Sequence, residues 1–356
     1  MKKLFAKGDF EKAYKGRKVL VIGNTGFKGS WLSLWLLLLG ADVYGYALEP
    51  AYENAHFTLL NLNDSMPCTF GDIRNAEELG AFIAGLEPEY VFHLAAQAIV
   101  STSYTDPKIT FDTNVGGSVN VLEAVRATDS VKSLIYVTSD KCYKNKEWIW
   151  GYRENDELGG VDPYSASKAC AELAFASYKQ CFFDGKRDVG ISSVRAGNVI
   201  GGGDWADNRI VPDCIRALLI DAPIEIRNPK STRPWQHVLE PLSGYLTLGA
   251  LQYQDCKLSD TWNFGPSGES VHTVEELVRE MIHRWGSGSL SAAPNDAFYE
   301  SSLLKLDCDK AFQRLGWKAR WNFADTIRET ADWYRAFSGG KIISESQIES
   351  YMKAGI

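Results

Sequence analysis

Two short stretches hold residues that could move protons. Tyr164 and Lys168 stand four apart in Asp162-Pro163-Tyr164-Ser165-Ala166-Ser167-Lys168, a segment that opens a helix, so the two side chains share a face. An ammonium beside a phenol favours the phenolate. A free tyrosine titrates near about 10, and a base useful at neutral pH needs a shift of roughly 3 units, about 4 kcal/mol. The same spacing recurs at Tyr14/Lys18 and Tyr104/Lys108. The first of these is expected to precede the fold, and the second contains Pro107 and is not expected to be helical. Only the third follows a strand end. That strand, Lys132 to Val137, delivers Thr138-Ser139-Asp140-Lys141 at its C-terminal end, where open α/β sheets put their chemistry.

What must position these groups begins at Val19-Leu20-Val21-Ile22-Gly23-Asn24-Thr25-Gly26-Phe27-Lys28-Gly29-Ser30. This reads as a buried strand, a glycine-rich turn and a helix start. Such a turn brings backbone close to a diphosphate, and the helix N-terminus offers it free N–H groups. The spacing is G-x-x-G-x-x-G. Strands are expected at Ala41–Ala47, Met66–Phe70, Tyr90–Gln97, Lys132–Val137 and Val189–Val194, with helices at 76–86, 111–127 and 162–182 between them. In the 111–127 helix, Val115, Val119, Leu122 and Val125 form the apolar side. The alternation predicts an α/β, Rossmann-type doubly wound parallel sheet. A looser second half, with helices at 209–220, 239–251, 310–315 and 323–337 and short strands at 224–227 and 261–264, predicts a smaller C-terminal α/β lobe. Thr273 to Glu276 reads as a capping box. The expected division is 1–197 for the nucleotide-binding domain, with 235–265 returning to it, and 198–234 plus 266–356 for the lobe.

Leu94-Ala95-Ala96 ends the fourth strand in small residues that let a dinucleotide lie against the backbone. Glu49, twenty residues past Gly29, is the candidate for the adenosine ribose hydroxyls. No Arg or Lys follows that strand, which favours NAD over NADP; Lys28 inside the loop argues the other way. His93 reads as a core histidine.

The chain has 356 residues, 45% hydrophobic and 23% charged, with a net charge of −7. A globular protein is expected, and neither nucleic acid nor an anionic membrane is a favoured partner. The apolar run Trp31 to Leu39 is too short to span a bilayer. Met1-Lys2-Lys3 is followed by charged residues where a signal peptide would be apolar. Seven scattered cysteines without C-x-x-C fit reduced thiols in a cytoplasm, and no metal is expected.

Taken together, the glycine turn, Leu94-Ala95-Ala96, Ser139-Asp140 and Tyr164-x-x-x-Lys168 resemble the extended short-chain dehydrogenase/reductase family. Gly26-Phe27-Lys28-Gly29-Ser30-Trp31-Leu32, Ser139-Asp140-Lys141-Cys142-Tyr143, Gly151-Tyr152-Arg153-Glu154 and Asp162-Pro163-Tyr164-Ser165-Ala166-Ser167-Lys168 are similar to its CDP-glucose 4,6-dehydratases, over about residues 10 to 335. The resemblance implies NAD held by Gly23, Thr25, Gly26, Phe27, Lys28, Gly29, Glu49, Asp72, Ile73, Leu94, Ala95, Ala96, Thr113, Tyr164 and Lys168. It implies Tyr164 as base for C4 oxidation, Ser139 on the 4-oxygen, Asp140 as acid, and CDP-glucose held by Gln97, Asn198, Arg209, Arg233 and His237. Related dTDP-glucose dehydratases read Thr-Asp-Glu at the strand end, with Glu as the C5 base. Here Lys141 takes that slot, either as a neutral base or as a charge that stabilises the enolate. A homodimer built through paired sheet-flanking helices follows by analogy. Another sugar-nucleotide dehydratase or epimerase, and a non-catalytic nucleotide-binding protein on the same fold, are the alternatives.

Overall fold

Strand β1 (Lys18–Ile22) sends Val19 and Val21 into one apolar cluster and Leu20 and Ile22 into another. Side chains alternate across a strand, so a strand covered on both faces must be apolar throughout. The computed structural model describes residues 5–266, 271–292 and 303–353; Met1-Lys2-Lys3 lies outside them. Six further strands join β1: β2 (Asp42–Ala47), β3 (Cys68–Phe70), β4 (Tyr90–His93), β5 (Ser133–Val137), β6 (Gly190–Arg195) and β7 (Thr261–Asn263). The order is β7-β6-β5-β4-β1-β2-β3 and every pairing is parallel, a doubly wound α/β sheet. The order in which strands are added reverses between β1 and β4, which opens a crevice at the C-terminal strand ends.

Helices cover both faces. On one lie α1 (Lys7–Tyr14), α2 (Phe27–Leu38) and the helix at Leu239–Gln254; on the other lie α3 (Ala76–Leu86), α4 (Ser118–Ala127) and α5 (Pro163–Tyr178). Helix α6 (Ile210–Leu219), α7 (Leu239–Gln254), α8 (Val274–Trp285), α9 (Phe323–Ser338) and α10 (Ser344–Lys353) follow in chain order. Thr273 and Glu276 form the capping box that starts α8, and Gly286 ends it at φ 98°. Two-stranded pairs at 224–226 with 290–292 and at 232–234 with 271–273 lie above the crevice side chains.

Three features depart from the sequence reading. Tyr14 belongs to the fold: it is fully buried in α1, packs on Tyr90 and Phe92, and donates to the Leu246 carbonyl at 2.6 Å. The 111–127 helix contains a π-helical turn at Asp112–Gly117, and the wider turn rotates the face that follows. Val121, Leu122 and Val125 are buried, whereas Val115 and Val119 are half-buried. Finally, α10 lies beyond the last helix expected, and its residues Ile348, Tyr351 and Met352 join the core.

Candidate active site

The loop between β1 and α2 is held by backbone contacts that only glycine permits. Gly23 has φ 94°, and a Cβ there would sit 2.6 Å from the Ala95 nitrogen. A Cβ on Gly29 would fall 2.0 Å from the Gly23 carbonyl oxygen. Thr25 Oγ1 donates to the Leu48 carbonyl at 2.9 Å and ties the loop to the end of β2. Helix α2 begins at Gly26 with no side-chain cap and no acidic residue in its first turn. Its first N–H groups therefore fit an anion, and with Ala95 and Ala96 opposite, the site suits a dinucleotide diphosphate.

This loop forms one end of a cleft of about 1260 Å³. Ser139, Asp140, Lys141, Tyr164 and Lys168 line it, together with Gln97, Thr113, Asn198, Arg209 and Arg233. Ser139 is extended, and its Oγ accepts from the Lys141 nitrogen at 3.2 Å to cap the short turn Asp140–Cys142. The same hydroxyl donates to Asp140 Oδ1 at 3.0 Å. Asn198, at φ 52°, donates from Nδ2 to Asp140 Oδ2 at 3.4 Å. Asp162 caps α5 by accepting from the Ser165 nitrogen at 2.9 Å, with Pro163 in the first turn, so Tyr164 stands at the cleft mouth of the helix.

Burial decides the ionisation of this group. It pushes the Tyr164 phenol up to about 12, the Ser139 hydroxyl draws it back, Asp140 adds to the rise and Arg209 opposes it. Burial pushes Lys168 down to about 8, while Cys142 and Glu172 hold it up. The Lys168 nitrogen lies 5.9 Å from the centre of the Tyr164 ring. The shared helix face is as expected, yet Lys168 is not among the main groups that lower the phenol, and desolvation raises it.

Lys28 belongs to the catalytic end of the cleft. The charges that act on it are Arg209, Asp140, Lys168 and Asp204. It therefore does not stand at the end of β2, where a 2′-phosphate would sit. Burial pushes its ammonium down to about 8. Arg209 crosses from the residue before α6 and pairs with Asp204 at 2.9 Å.

His237 is a correction. It is fully buried outside the cleft lining, with ring contacts to Trp31 and Trp321, and its Nδ1 accepts from the Leu239 nitrogen at 3.3 Å. Burial pushes it down to about 3, so it is a neutral core ring and not a substrate contact. Glu49 is exposed one residue beyond Leu48 and does not line the cleft, whereas Ala47, Leu48 and Asp72 do. Asp72 itself is paired with Arg74 at 2.5 Å, which holds its carboxyl below the usual range. The Gln97 carboxamide is already engaged with Ile99 and Thr110.

Two supporting residues escaped the sequence reading. A Cβ on Gly197 would lie 1.8 Å from Asp140 Oδ2, so only glycine admits that carboxylate. Glu172 is buried and accepts from Arg195, Thr138 and Ser193. Its position four after Lys168 on the same helix face was the available signal.

The sequence matches the GDP-mannose 4,6 dehydratase family profile over residues 20–330. It is 47% identical over 350 residues to CDP-glucose 4,6-dehydratase of Salmonella typhimurium, covering 96% of this chain and 98% of that one. Among solved structures, an epimerase from Methanothermobacter thermautotrophicus superposes with a TM-score of 0.79 at 22% identity, covering 93% of this chain and 96% of that one. A dTDP-glucose 4,6-dehydratase double mutant from Streptomyces venezuelae, with NAD bound, gives 0.77 at 23% identity over 91% of this chain and 98% of that one. A match running from β1 to within α9, with 47% identity over 96% of the chain to the Salmonella dehydratase, makes this chain a member of the GDP-mannose 4,6 dehydratase family.

Proposed function

We propose that this protein is an NAD-dependent CDP-glucose 4,6-dehydratase, converting CDP-D-glucose to CDP-4-dehydro-6-deoxy-D-glucose with loss of water. The observation that carries the reading is the meeting of Ser139, Asp140, Lys141, Tyr164 and Lys168 on one cleft beside the glycine loop, in a chain 47% identical almost end to end to such an enzyme.

The loop from Gly23 to Gly29, the α2 N-terminus, Ala95 and Ala96 would hold the diphosphate of NAD. When bound, its nicotinamide supplies the acceptor for the hydride from C4 and the donor that returns it to C6. Tyr164 Oη takes the proton of the 4-hydroxyl as the C4–H bond breaks, and Lys168 and Arg209 add positive charge around the phenolate. Ser139 orients the 4-oxygen and, through its bond to Asp140, the acid beside it. The ketone at C4 acidifies C5–H. Lys141 receives or stabilises what that C–H bond releases: as a neutral amine it takes the proton, as an ammonium it lowers the energy of the enolate. Asp140 gives a proton to the 6-hydroxyl, which leaves as water. Hydride at C6 and a proton at C5 complete a product with no net oxidation. Arg233 and Asn198 hold the sugar nucleotide.

The protein works as a homodimer in the cytoplasm. In support, Leu173 on α5 and Phe182 beyond it are exposed large apolar side chains on a sheet-flanking face, and all seven cysteines are free. Mass spectrometry after incubation with CDP-glucose and NAD is expected to show loss of water, and a deuterium placed at C4 is expected at C6 without net NADH. Stoichiometric NADH would make the protein a simple dehydrogenase and overturn the reading. Faster turnover of dTDP- or UDP-glucose would move the substrate to another base.

A further inference from the structure

The turn that carries Ser139, Asp140 and Lys141 is a short bridge between two pegs. Thr138 precedes it and Tyr143 follows it. Both line the cleft, yet both hydroxyls are committed elsewhere. Thr138 Oγ1 donates to Glu172 Oε1. Tyr143 Oη donates to Asn263 Oδ1 at 2.8 Å and accepts from Arg195 Nη1 at 2.6 Å. Arg195 and Glu172 are buried and joined to each other by two bonds, at 3.0 and 2.8 Å. Both pegs therefore hang on one ion pair. Arg195 is the last residue of β6 and Asn263 the last of β7, so the anchorage lies on the neighbouring strand ends. Glu172 stands about one turn beyond Lys168 and two beyond Tyr164 on α5. The turn and the helix thus share one fixed reference.

Packing alone does not call for charge at this place. A buried ion pair adds little net stability over well-packed apolar side chains of similar volume. What it supplies is direction, because the planar guanidinium fork fixes itself against the carboxylate. The Tyr143 ring is held as firmly: it stacks on Tyr152 at 5.1 Å, and Arg195 lies 4.7 Å from its centre. We infer that Thr138 and Tyr143 are positioning residues, which through the Arg195–Glu172 pair hold Asp140 and Lys141 in register with Tyr164 and Lys168. This rests on the reading that the turn performs the elimination and α5 the oxidation. Tyr164 and Lys168 ride on α5 and keep their place when Tyr143 loses its hydroxyl. Asp140 and Lys141, three and two residues before Tyr143, lose the anchor on their C-terminal side.

Single-turnover absorbance on the NAD-loaded full chain with CDP-glucose tests this in the parent, Tyr143→Phe, Thr138→Val and Thr138→Ser. Tyr143→Phe keeps the ring and its stacking and removes only the hydroxyl. NADH is expected to rise at the parent rate and to decay roughly 10- to 100-fold more slowly as loss of water is held up, with CDP-glucose affinity unchanged. Thr138→Val is expected to slow the decay as well, and Thr138→Ser to restore it. Decay at the parent rate in a folded Tyr143→Phe protein overturns the inference and leaves the proposed function standing. Rise and decay slowed alike, or a loss of CDP-glucose affinity alone, also overturns it, because either would mark a general loosening of the cleft. Should Tyr143→Phe fail to fold, the two Thr138 variants decide: slow decay with Val and recovery with Ser supports the pegs, and equal decay in both overturns them. If the parent forms no NADH and removes no water from CDP-glucose, the functional reading itself falls and takes the inference with it.

Discussion

Two buried charge clusters lie a few residues apart and are built in opposite ways. Around Glu172, every strong group is matched. Arg195 donates to both carboxylate oxygens, at 3.0 and 2.8 Å, and its third nitrogen reaches the Tyr143 hydroxyl and the Glu154 carbonyl. Thr138 and Ser193 supply two more donors to Glu172. Arg195 keeps Glu172 ionised below the usual carboxylate range, although burial opposes it. In the cleft the same residue types are left short of partners. Lys28 and Lys168 make no hydrogen bond through their ammonium groups among the described residues, and burial pushes both down to about 8. A saturated pair fixes β6 to α5 and has nothing left to give a ligand. An unsaturated one leaves ammonium donors that a ligand's oxygens can meet.

Five experiments break or sharpen this contrast. The largest effect belongs to the cleft. Tyr164→Phe removes the proposed base and is expected to lower turnover about 10²–10⁴-fold with folding and NAD affinity retained; near-normal turnover would falsify the assignment. Glu172→Ala attacks the saturated cluster and is expected to destabilise the fold by about 3–5 kcal/mol, because Arg195 is left buried and unpaired. Denaturant unfolding measures this, and a midpoint equal to the parent's would mean the pair is dispensable. Lys141→Ala is expected to slow elimination about 10²-fold. Single-turnover absorbance should then show NADH that forms and persists, with recovery by Glu marking a base and by Arg marking an electrostatic role.

Smaller changes follow. Arg233→Ala is expected to weaken CDP binding roughly 10- to 150-fold, the loss of a charge-assisted contact of about 1.5–3 kcal/mol; equal calorimetric affinities would remove Arg233 from the substrate site. A pH effect concerns His56, His93 and His237, all fully buried and held neutral at about 3 against 6.5 in a free chain. The unfolded chain takes up these protons first. Stability present above about pH 6.5 is therefore lost as the pH falls toward 3, by about 1.4 kcal/mol per unit for each ring. Unfolding midpoints measured from pH 7 to pH 5 check the slope, which His93→Gln should make shallower; a flat profile would show that the rings titrate freely.

Much of the fold was legible because strand and helix periods are local. β1 alternates into two clusters from its own sequence, and α5 announces itself with Asp162-Pro163. What escaped depended on distant partners. Tyr14 looked peripheral because α1 is one short helix, and only β4 and α7 reveal it as core. His237 looked functional by its chain position, yet Trp31 and Trp321 enclose it from segments far away. The glycine turn, the Ser139-Asp140 strand end and the Tyr164/Lys168 pair were readable by type and spacing, whereas Asn198, Arg209 and Arg233 came only from the family resemblance. The ionisation of the Tyr164/Lys168 pair was not readable, since the height of the Tyr164 phenol is set by desolvation that no spacing encodes.

The position of α10 bears on how the chain can be made. Met352 accepts from the Trp35 ring nitrogen, Tyr351 packs on Trp35 and bonds Glu240, and Ser344 bonds both His56 and Trp333. The helix that follows the glycine loop is thus sealed by residues synthesised roughly three hundred positions later. While the ribosome works, the face of α2 bearing Trp35 stays wet, and the nascent sheet carries a greasy flank that chaperones would have to shield. A stop codon after Ile343 would leave the nucleotide loop intact on paper and its supporting helix uncovered, so such a truncation is a likelier source of inclusion bodies than of a smaller enzyme.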